Sequence, residues 1–295
     1  MILMKKIDSI LLSPNAKKDD GFAVSRETAR CLISRGAAVS VPDAILPAFA
    51  GIGVTGESAG PAPALILALG GDGTVLSASA GAIERGVPLL GINMGRLGFL
   101  AELETDQLDR LEALFTGDYA VTERMTLAVT ADLGEGETDL PVYPLNDVVF
   151  SHRREDGLAL LSLSDQAGNV IDYHADGLIL ATPSGSTAYT LSAGGPIIDD
   201  GMDAICVTPV CPHSFFNRSV VFGRDTVLTV ENRSPLGRDA TVSLDGREPF
   251  LLPFGSVVTV RRSDHPLKML SLDRHAVLST LNRKMQMADM KYRNE

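Results

Sequence analysis

A glycine-rich turn follows directly on an apolar stretch, LILAL, at residues 65–69. This stretch has the length and composition of a strand buried on both faces. The small residues that follow Thr74 suit a helix. A helix that begins at a tight turn has free backbone N–H groups and the positive end of its dipole there. We therefore predict that Gly70, Gly71, Gly73 and Thr74 bind phosphate.

Asp72 lies in the middle of this turn, where we expect its side chain to be exposed. A carboxylate repels a bare phosphate, so it indicates a metal ion to hold or a proton to accept from an attacking hydroxyl. The alternative is a plain connection in which glycines supply positive φ and Asp72 caps the helix. GGDGT after a buried strand is more specific than a lone Gly-x-Gly. It favours phosphoryl transfer from a nucleotide, with Asp72 as the catalytic residue.

Two later motifs carry polar groups that suit a nucleotide. Asn146 and Asp147 stand just ahead of a strand in LNDVVF, which alone is most often an ordinary turn. Residues 176–198, DGLILATPSGSTAYTLSAGGPII, run from a strand into a loop rich in Gly, Ser and Thr. Small residues let a nucleotide approach the backbone, and hydroxyls can hydrogen-bond its polar edges. A purely structural loop is the alternative, and the length of the whole motif argues against it.

The elements that position the first turn alternate between strands and helices. Such alternation predicts an α/β domain with a parallel sheet over residues 1–118. Ligands of these sheets bind at the carboxyl ends of the strands, where this turn and a second one, NMGRLGFL, both lie. We predict strands at residues 6–13, 37–41, 65–69 and 87–92, and helices at 25–35 and 104–115.

The rest of the chain reads as short strands joined by turn-forming sequences such as SDQAGN and LDGRE. We therefore predict a mostly-β second domain over residues 119–271. Residues 270–287 are amphipathic and predict a helix, and residues 272–295 are expected to pack back on the first domain. The predicted strands of the second domain are 121–131, 159–165, 226–231, 240–245 and 256–261.

Composition narrows the class of protein. The chain has 295 residues, of which 45% are hydrophobic, and a formal net charge of −11. That charge opposes broad binding to nucleic acid or to an anionic membrane, and no apolar run reaches the roughly 18 residues of a membrane span. Cys31, Cys206 and Cys211 are too few and too scattered for a disulfide framework or a cysteine-based zinc site. We expect reduced thiols and a cytoplasmic protein, since MILMKK lacks the order of a secretory signal.

The motifs together resemble those of bacterial NAD kinases over essentially the whole chain. The glycine turn alone also resembles the phosphate site of phosphofructokinases and of diacylglycerol and sphingosine kinases, which lack the TPSGSTAYTLSAGGP loop. The fold implied is a phosphofructokinase-like, Rossmann-type α/β domain followed by a β domain that binds NAD. The matching segments are SPNAKK, LGGDGTVL, GINMGRLGFL, LNDVVF, ADGLILATPSGSTAYTLSAGGPII, TPVCPHS and SLDG.

The resemblance implies roles for individual residues. Asp72 matches the family's catalytic base, and Gly73 follows it in the dinucleotide site. Asn146 and Asp147 match a pair that holds the adenosine of NAD, where the family usually has Glu at the second position. His174 and Asp176 match two further dinucleotide contacts, the first of which is often arginine. The loop implied to bind adenine and ribose includes Ser184, where the family usually has Thr, and Thr187, Ala188, Tyr189, Thr190, Leu191 and Ser192.

The implied activity is transfer of the γ-phosphoryl group of ATP to the 2′-hydroxyl of the adenosine ribose of NAD, which gives NADP. The resemblance also implies a homo-oligomer, commonly a tetramer, in which subunits share some NAD contacts. Mg²⁺ would arrive with ATP, so we expect no dedicated metal site. A kinase with a different acceptor and a non-catalytic dinucleotide-binding module stay open as alternatives. So do polyphosphate as donor and NADH as acceptor.

Overall fold

The computed structural model divides the chain into two compact units. Among the described residues, the first unit takes in the chain up to Glu123 and again from Leu267, and the second is Arg124–Pro266. The structure describes residues 5–95, 98–134, 136–152, 157–213 and 217–272.

The first unit is built on a sheet of eight strands among the described residues. With strands numbered along the chain, their order is β3-β2-β1-β4-β5-β20-β7, and β6 pairs with β5. The pairs that join β1, β2, β4 and β5 are all parallel. The strands are β1 (Ser9–Pro14), β2 (Ala38–Val41), β3 (Thr55–Gly56), β4 (Leu65–Gly70), β5 (Leu89–Asn93), β6 (Leu103–Glu104), β7 (Ala120–Arg124) and β20 (Leu267–Ser271).

Helices follow β1 and β4, as the alternating pattern predicted. The parallel sheet of the first domain is therefore confirmed, and β4 is buried at all six positions. Its apolar side chains pack in one core with those of β1, β2, β5 and α1. The α-helices are α1 (Ala23–Ser34), α2 (Asp72–Arg85) and α3 (Ala113–Thr116), and the 3₁₀ helices are Asp20–Phe22, Asp43–Phe49 and Leu108–Glu112.

The second unit carries two antiparallel sheets, each of six strands among the described residues. Their orders are β15-β14-β13-β10-β17-β18 and β12-β11-β16-β19-β8-β9. Apolar side chains of both sheets belong to one buried core, so the two sheets pack face to face. Strands such as β8 and β16 alternate between buried and partly exposed residues, as strands with one covered face do.

Short helices connect several strands of the second unit. Its short α-helix is α4 (Tyr189–Ser192), and its 3₁₀ helices are Ser184–Thr187 and Pro235–Gly237. The strands are β8 (Leu127–Asp132), β9 (Glu137–Asp139), β10 (Asp147–His152), β11 (Ala159–Asp165), β12 (Val170–Ala175), β13 (Gly177–Ala181), β14 (Ala204–Val210), β15 (Val220–Gly223), β16 (Leu228–Asn232), β17 (Ala240–Leu244), β18 (Phe250–Leu252) and β19 (Val257–Arg262).

The observed division of the chain differs from the predicted one at residues 118 and 272. Strands β7 and β20 both belong to the sheet of the first unit. The first stretch of that unit therefore ends at Glu123, after the predicted residue 118, and its second stretch begins at Leu267, before the predicted residue 272. The helix predicted at residues 270–287 is wrong at Leu270 and Ser271, which lie in β20. A strand forms there because β20 fills the position between β5 and β7 in the sheet. The rest of that predicted helix, from residue 273, and its packing on the first domain lie outside the described residues.

Candidate functional site

The glycine turn lies where β4 ends and α2 begins. Gly71 is the N-cap residue of α2, and Asp72 is its first residue. The Thr74 hydroxyl accepts hydrogen bonds from Gly71 N–H at 3.4 Å and from Asn15 Nδ2 at 2.9 Å. Thr74 is only 8% exposed, so its hydroxyl holds the turn together from within.

The first turn of α2 leaves donors for an anion. Thr74 and Val75 donate to the Gly71 carbonyl, whereas the N–H groups of Asp72 and Gly73 have no intrahelical acceptor. A Cβ built on Gly73 would meet no atom within 4 Å, so this residue faces open space. The positive end of the helix dipole adds to these donors. The turn therefore has the geometry of a phosphate site.

The Asp72 carboxylate is held by the second glycine-rich turn of the first unit. Its Oδ2 accepts the N–H of Phe99 at 2.8 Å, and its Oδ1 accepts the N–H of Leu100 at 3.0 Å. A Cβ on Gly98 would overlap Asp72 Oδ1, so the glycine leaves room for the carboxylate in this position. The expectation of an exposed carboxylate is therefore wrong, because Asp72 is half-buried against this turn. The remaining lone pairs of the two oxygens stay available to a substrate.

In the second unit, Asn146 and Asp147 lie at the start of β10, beside the end of β13. The Asp245 carboxylate fixes their backbone. Its oxygens accept N–H groups from Leu145 at 2.8 Å, Asn146 at 2.7 Å and Asp147 at 3.1 Å. The sequence motif SLDG contains Asp245, but nothing in its residue types indicates that it braces a turn 100 residues away. The brace makes this turn a preformed feature of the fold.

Asp147 is only 5% exposed, and burial disfavours the charged form of its carboxyl group. Its desolvation, with the nearby Asp245 charge as a smaller cause, raises the Asp147 pKa to about 7. Burial raises the pKa of Asp245 as well, and its three N–H donors and Arg247 oppose that rise. The three N–H donors on Asp245 thus favour its charged form, against the effect of burial.

The loop after β13 is anchored to the Asn146 turn. Thr182 donates its hydroxyl to the Leu145 carbonyl and its N–H to the Asn146 carbonyl. A Cβ on Gly185 would overlap the Asn146 backbone, so the glycine is required for this close approach. Ser186 closes the far end of the loop, since its hydroxyl accepts Ile198 N–H at 3.0 Å. These contacts bring Asn146, Asp147 and the predicted loop residues into one cluster.

The predicted loop residues divide into buried and exposed side chains. Tyr189 and Leu191 are 44% and 39% exposed. Thr187 donates its hydroxyl to the Ser184 carbonyl at 3.0 Å. Thr190 is fully buried, and its hydroxyl has no hydrogen-bond partner among the residues that the structure describes. The exposed tyrosine ring is thus the largest loop side chain open to a ligand.

His174 and Asp176 lie apart from this cluster in the same chain. Strand β13 begins at Gly177, which pairs with Ser151, and ends at Ala181, which pairs with Asp147. These pairs lie four residue steps apart along the strand, which is about 13 Å. Asp176 Oδ1 lies 3.6 Å from His152 Nε2, and His174 is exposed on the edge strand β12. The structure therefore does not bring these two predicted residues to Asn146 and Asp147 within one copy.

Within the described ranges, no three or more His, Cys, Asp or Glu side chains converge in a set that could hold a metal ion. Nor does any helix in those ranges have the length and apolar character to cross a membrane.

Solved structures share this fold. Yeast NADH kinase, determined with NADH, has a TM-score of 0.84 at 20% identity, and the match covers 96% of this chain and 88% of that one. An NAD kinase from Archaeoglobus fulgidus, determined with ATP, has a TM-score of 0.68 at 20% identity over 95% and 98% of the two chains. This likeness shows that the chain has the fold of these two structures.

Sequence comparison identifies the family. The ATP-NAD kinase N-terminal domain matches residues 52–119, and the ATP-NAD kinase C-terminal domain matches residues 145–272. The NAD kinase of Natranaerobius thermophilus is 34% identical over 281 residues, which cover 94% of this chain and 97% of the relative. That of Symbiobacterium thermophilum is 39% identical over 222 residues, 75% and 78% of the two chains. The chain belongs to the ATP-NAD kinase family.

Proposed function

We propose that this protein transfers the γ-phosphoryl group of ATP to the 2′-hydroxyl of the adenosine ribose of NAD, giving NADP. The observation that carries the proposal is the Asp72 carboxylate, fixed by two backbone N–H groups at the start of α2. It stands beside free N–H donors in a chain of the ATP-NAD kinase family. A site that only bound phosphate would gain nothing from a carboxylate at this position.

Each group of site residues has its own role in the proposed reaction. The N–H groups at the start of α2 hold donor phosphates, and Asp72 accepts the proton of the attacking hydroxyl as a general base. Asn146 and the ionised Asp147 accept hydrogen bonds from the ribose hydroxyls, which fixes one of them for attack. Thr187–Ser192 hold the adenine and ribose, with Tyr189 packing on the base or sugar.

A divalent ion, which we propose to be Mg²⁺, would arrive with ATP. The phosphate turn offers it one carboxylate, Asp72, and this fits an ion that is bound mainly by phosphates and water. When bound, such an ion neutralises phosphate charge. ATP is the proposed donor, and polyphosphate is the competing one.

The direct test is NADP formation by the purified protein with ATP, Mg²⁺ and NAD. We expect turnover with NAD, and a parallel series would replace NAD by NADH, sugar phosphates and diacylglycerol. Phosphorylation of another hydroxyl compound without NADP formation would assign a different acceptor. Tight NAD binding by calorimetry, with no turnover from ATP or polyphosphate, would leave only a binding module.

We also propose a homo-oligomer, a tetramer, in which His174 and Asp176 contact NAD held by another copy. Their separation from Asn146 and Asp147 in one chain supports this sharing. The test mixes two inactive variants, Asp147→Ala and Asp176→Ala, after denaturation and refolding together. Recovery of activity in the mixture is expected, and light scattering gives the number of copies. A fully active monomer at micromolar concentration contradicts this proposal.

The composition of the chain supports a proposal on its location and on the classes of partner that it does not bind. We propose a cytoplasmic protein that binds neither nucleic acid nor membranes. Cys31, Cys206 and Cys211 are free thiols, in keeping with a reducing compartment. The net charge of −11 opposes binding to polyanions. Fractionation of cells, with the protein found in the soluble fraction at low salt, tests this location.

A further inference from the structure

A turn after β1 presents a lysine near the phosphate turn of the first unit. Asn15 organises this turn, since its side-chain Oδ1 accepts Lys17 N–H at 3.0 Å. Its backbone carbonyl accepts the N–H groups of Lys18 at 2.9 Å and Asp19 at 3.0 Å. The backbone at Lys18 is therefore fixed by local hydrogen bonds.

The same asparagine ties this turn to β4 and α2. Its backbone N–H donates to the Leu69 carbonyl at 2.9 Å, and its Nδ2 donates to the Thr74 hydroxyl at 2.9 Å. Leu69 lies in β4, and Thr74 lies in the first turn of α2. The lysine-bearing turn and the phosphate turn thus form one hydrogen-bonded unit.

The Lys18 ammonium lies over two glycines. A Cβ built on Gly71 would be 2.5 Å from Lys18 Nζ, and a Cβ on Gly95 would be 3.5 Å from it. Gly71 is the N-cap of α2, and Gly95 belongs to the turn after β5. A side chain at Gly71 would displace the ammonium, so this glycine makes the room that the cation occupies.

The charge of Lys18 has no anionic partner among the residues that the structure describes. The neighbouring Asp19 carboxylate accepts Val24 N–H, Ser25 N–H and the Ser25 hydroxyl at the start of α1. The Asp72 carboxylate accepts the N–H groups of the second glycine turn. A cation beside the positive end of a helix dipole is unfavourable without an anion. Lys18 is exposed, so an anionic ligand bound at the phosphate turn can reach its ammonium.

We propose that Lys18 binds the phosphate chain of the phosphoryl donor at the glycine turn, an inference that rests on the proposed function. Its Nζ would form charge-assisted hydrogen bonds to phosphate oxygens, which also bond to N–H groups at the start of α2. ATP and NAD both carry phosphates, and the position of Lys18 at the turn assigned to the donor favours ATP. In this role Lys18 is a binding residue, and Asp72 remains the catalytic one.

The test compares Lys18→Met with Lys17→Met as a matched control. Hydrogen bonds to a charged group correspond to about 10–100-fold in binding, so we expect the ATP KM of Lys18→Met to rise by that factor. The dissociation constant for NAD, measured by calorimetry without ATP, should stay within about twofold. Lys18→Arg should recover part of the loss, because it restores the charge.

Other outcomes overturn the inference. If Lys18→Met keeps the wild-type ATP KM and kcat, Lys18 is not a donor ligand. If NAD binding weakens and the ATP KM stays unchanged, the lysine serves the dinucleotide instead. Equal effects of Lys17→Met and Lys18→Met on the ATP KM would show that Lys18 acts only through general surface charge. Failure of the proposed function is separate, because then the wild-type protein itself makes no NADP.

Discussion

Asp147 and Asp245 are joined by two reciprocal backbone contacts. Asp147 N–H donates to the Asp245 carboxylate at 3.1 Å, and Asp245 N–H donates to the Asp147 carbonyl at 3.0 Å. Asp245 adopts this position with a left-handed backbone, φ 51°. The result is that two carboxylates lie close together at the turn assigned to the ribose of NAD, and burial with this neighbour raises the pKa of Asp147 to about 7.

NAD binding should weaken as the pH falls below about 7. An ionised Asp147 accepts stronger hydrogen bonds from ribose hydroxyls than a protonated one, and its raised pKa places the change in this range. We expect the NAD dissociation constant to rise by up to about tenfold per pH unit below the pKa. Calorimetry without ATP measures this directly, and Asp147→Asn serves as control because its weaker binding should not vary with pH there. A flat wild-type profile from about pH 6 to 8 would contradict the prediction.

Asp147→Asn should make the fold more stable at neutral pH. The native pKa lies above the unfolded value, so the native state holds a proton that the unfolded state releases between about pH 4 and 7. The stability of the wild-type protein that comes from this group is therefore present at low pH and lost as pH rises through 7. The difference in unfolding free energy between variant and wild type should grow over that window by up to about 4 kcal/mol. Urea unfolding at about pH 4 and 8 measures it, and an equal difference at both values would argue against a raised pKa.

Gly98→Ala should reduce catalysis while the fold survives. The added Cβ would overlap Asp72 Oδ1, so the carboxylate must move away from its two N–H donors. A displacement of about 1 Å at a reacting group can lower kcat by about 100-fold. Gly223→Ala is the control, because its Cβ would meet no atom within 4 Å. If Gly98→Ala turned over within twofold of wild type, the position of Asp72 would not matter for the reaction.

Tyr189→Ala should weaken NAD binding more than ATP binding. The ring is 44% exposed in the loop assigned to the dinucleotide, and packing of an aromatic ring contributes about 3–10-fold to affinity. Leu236→Ala, at an 88% exposed position of the same unit, controls for loss of surface apolar area. A raised ATP KM with unchanged NAD binding would reverse the assignment of the two subsites.

The sequence predicts the parts of the site that lie within one motif. A buried strand, glycines and a helix start are local signals, and the structure confirms the strand and the helix at β4 and α2. The anchoring of Asp72 by Phe99 and Leu100 could not be predicted, because it uses backbone N–H groups that any residue type supplies. The hydrogen bonds from the Asn146 turn to Asp245 could not be predicted for a related reason. The pairing of β10 with β17 brings these residues together, although they are far apart in the sequence.

Proximity in sequence was misleading at Asp176. This residue stands eight positions before Ser184, yet the five residues of β13 carry the chain from one end of the sheet to the other between them. The predicted helix at residues 104–115 was also only partly right. The residues with this apolar spacing form a 3₁₀ helix, Leu108–Glu112, followed by one turn of α-helix, Ala113–Thr116. Together these two helices bury Leu111 and Leu114. The hydrophobic period identifies the buried side, and it does not distinguish these two kinds of helix.

Asp72→Asn should lower kcat by about 10²–10⁴-fold, the usual effect of losing a general base. The amide keeps the size of the carboxylate, but it removes the charge and the basicity. It also brings an NH₂ group against the N–H of Phe99 or Leu100, where the carboxylate accepts two hydrogen bonds. A loss of about 1–3 kcal/mol in unfolding free energy is therefore expected, in contrast to a fully exposed position.

The measurement separates this cost in stability from the loss of catalysis. Circular dichroism, urea unfolding, NAD titration and turnover are done on one preparation of Asp72→Asn, at a temperature where it is folded. NAD affinity should change little, because a base acts mainly on the transition state. Since Gly98→Ala keeps the carboxylate but displaces it, its kcat should fall between those of Asp72→Asn and wild type. A folded Asp72→Asn protein that retained more than about a tenth of wild-type kcat would remove Asp72 from the catalytic role.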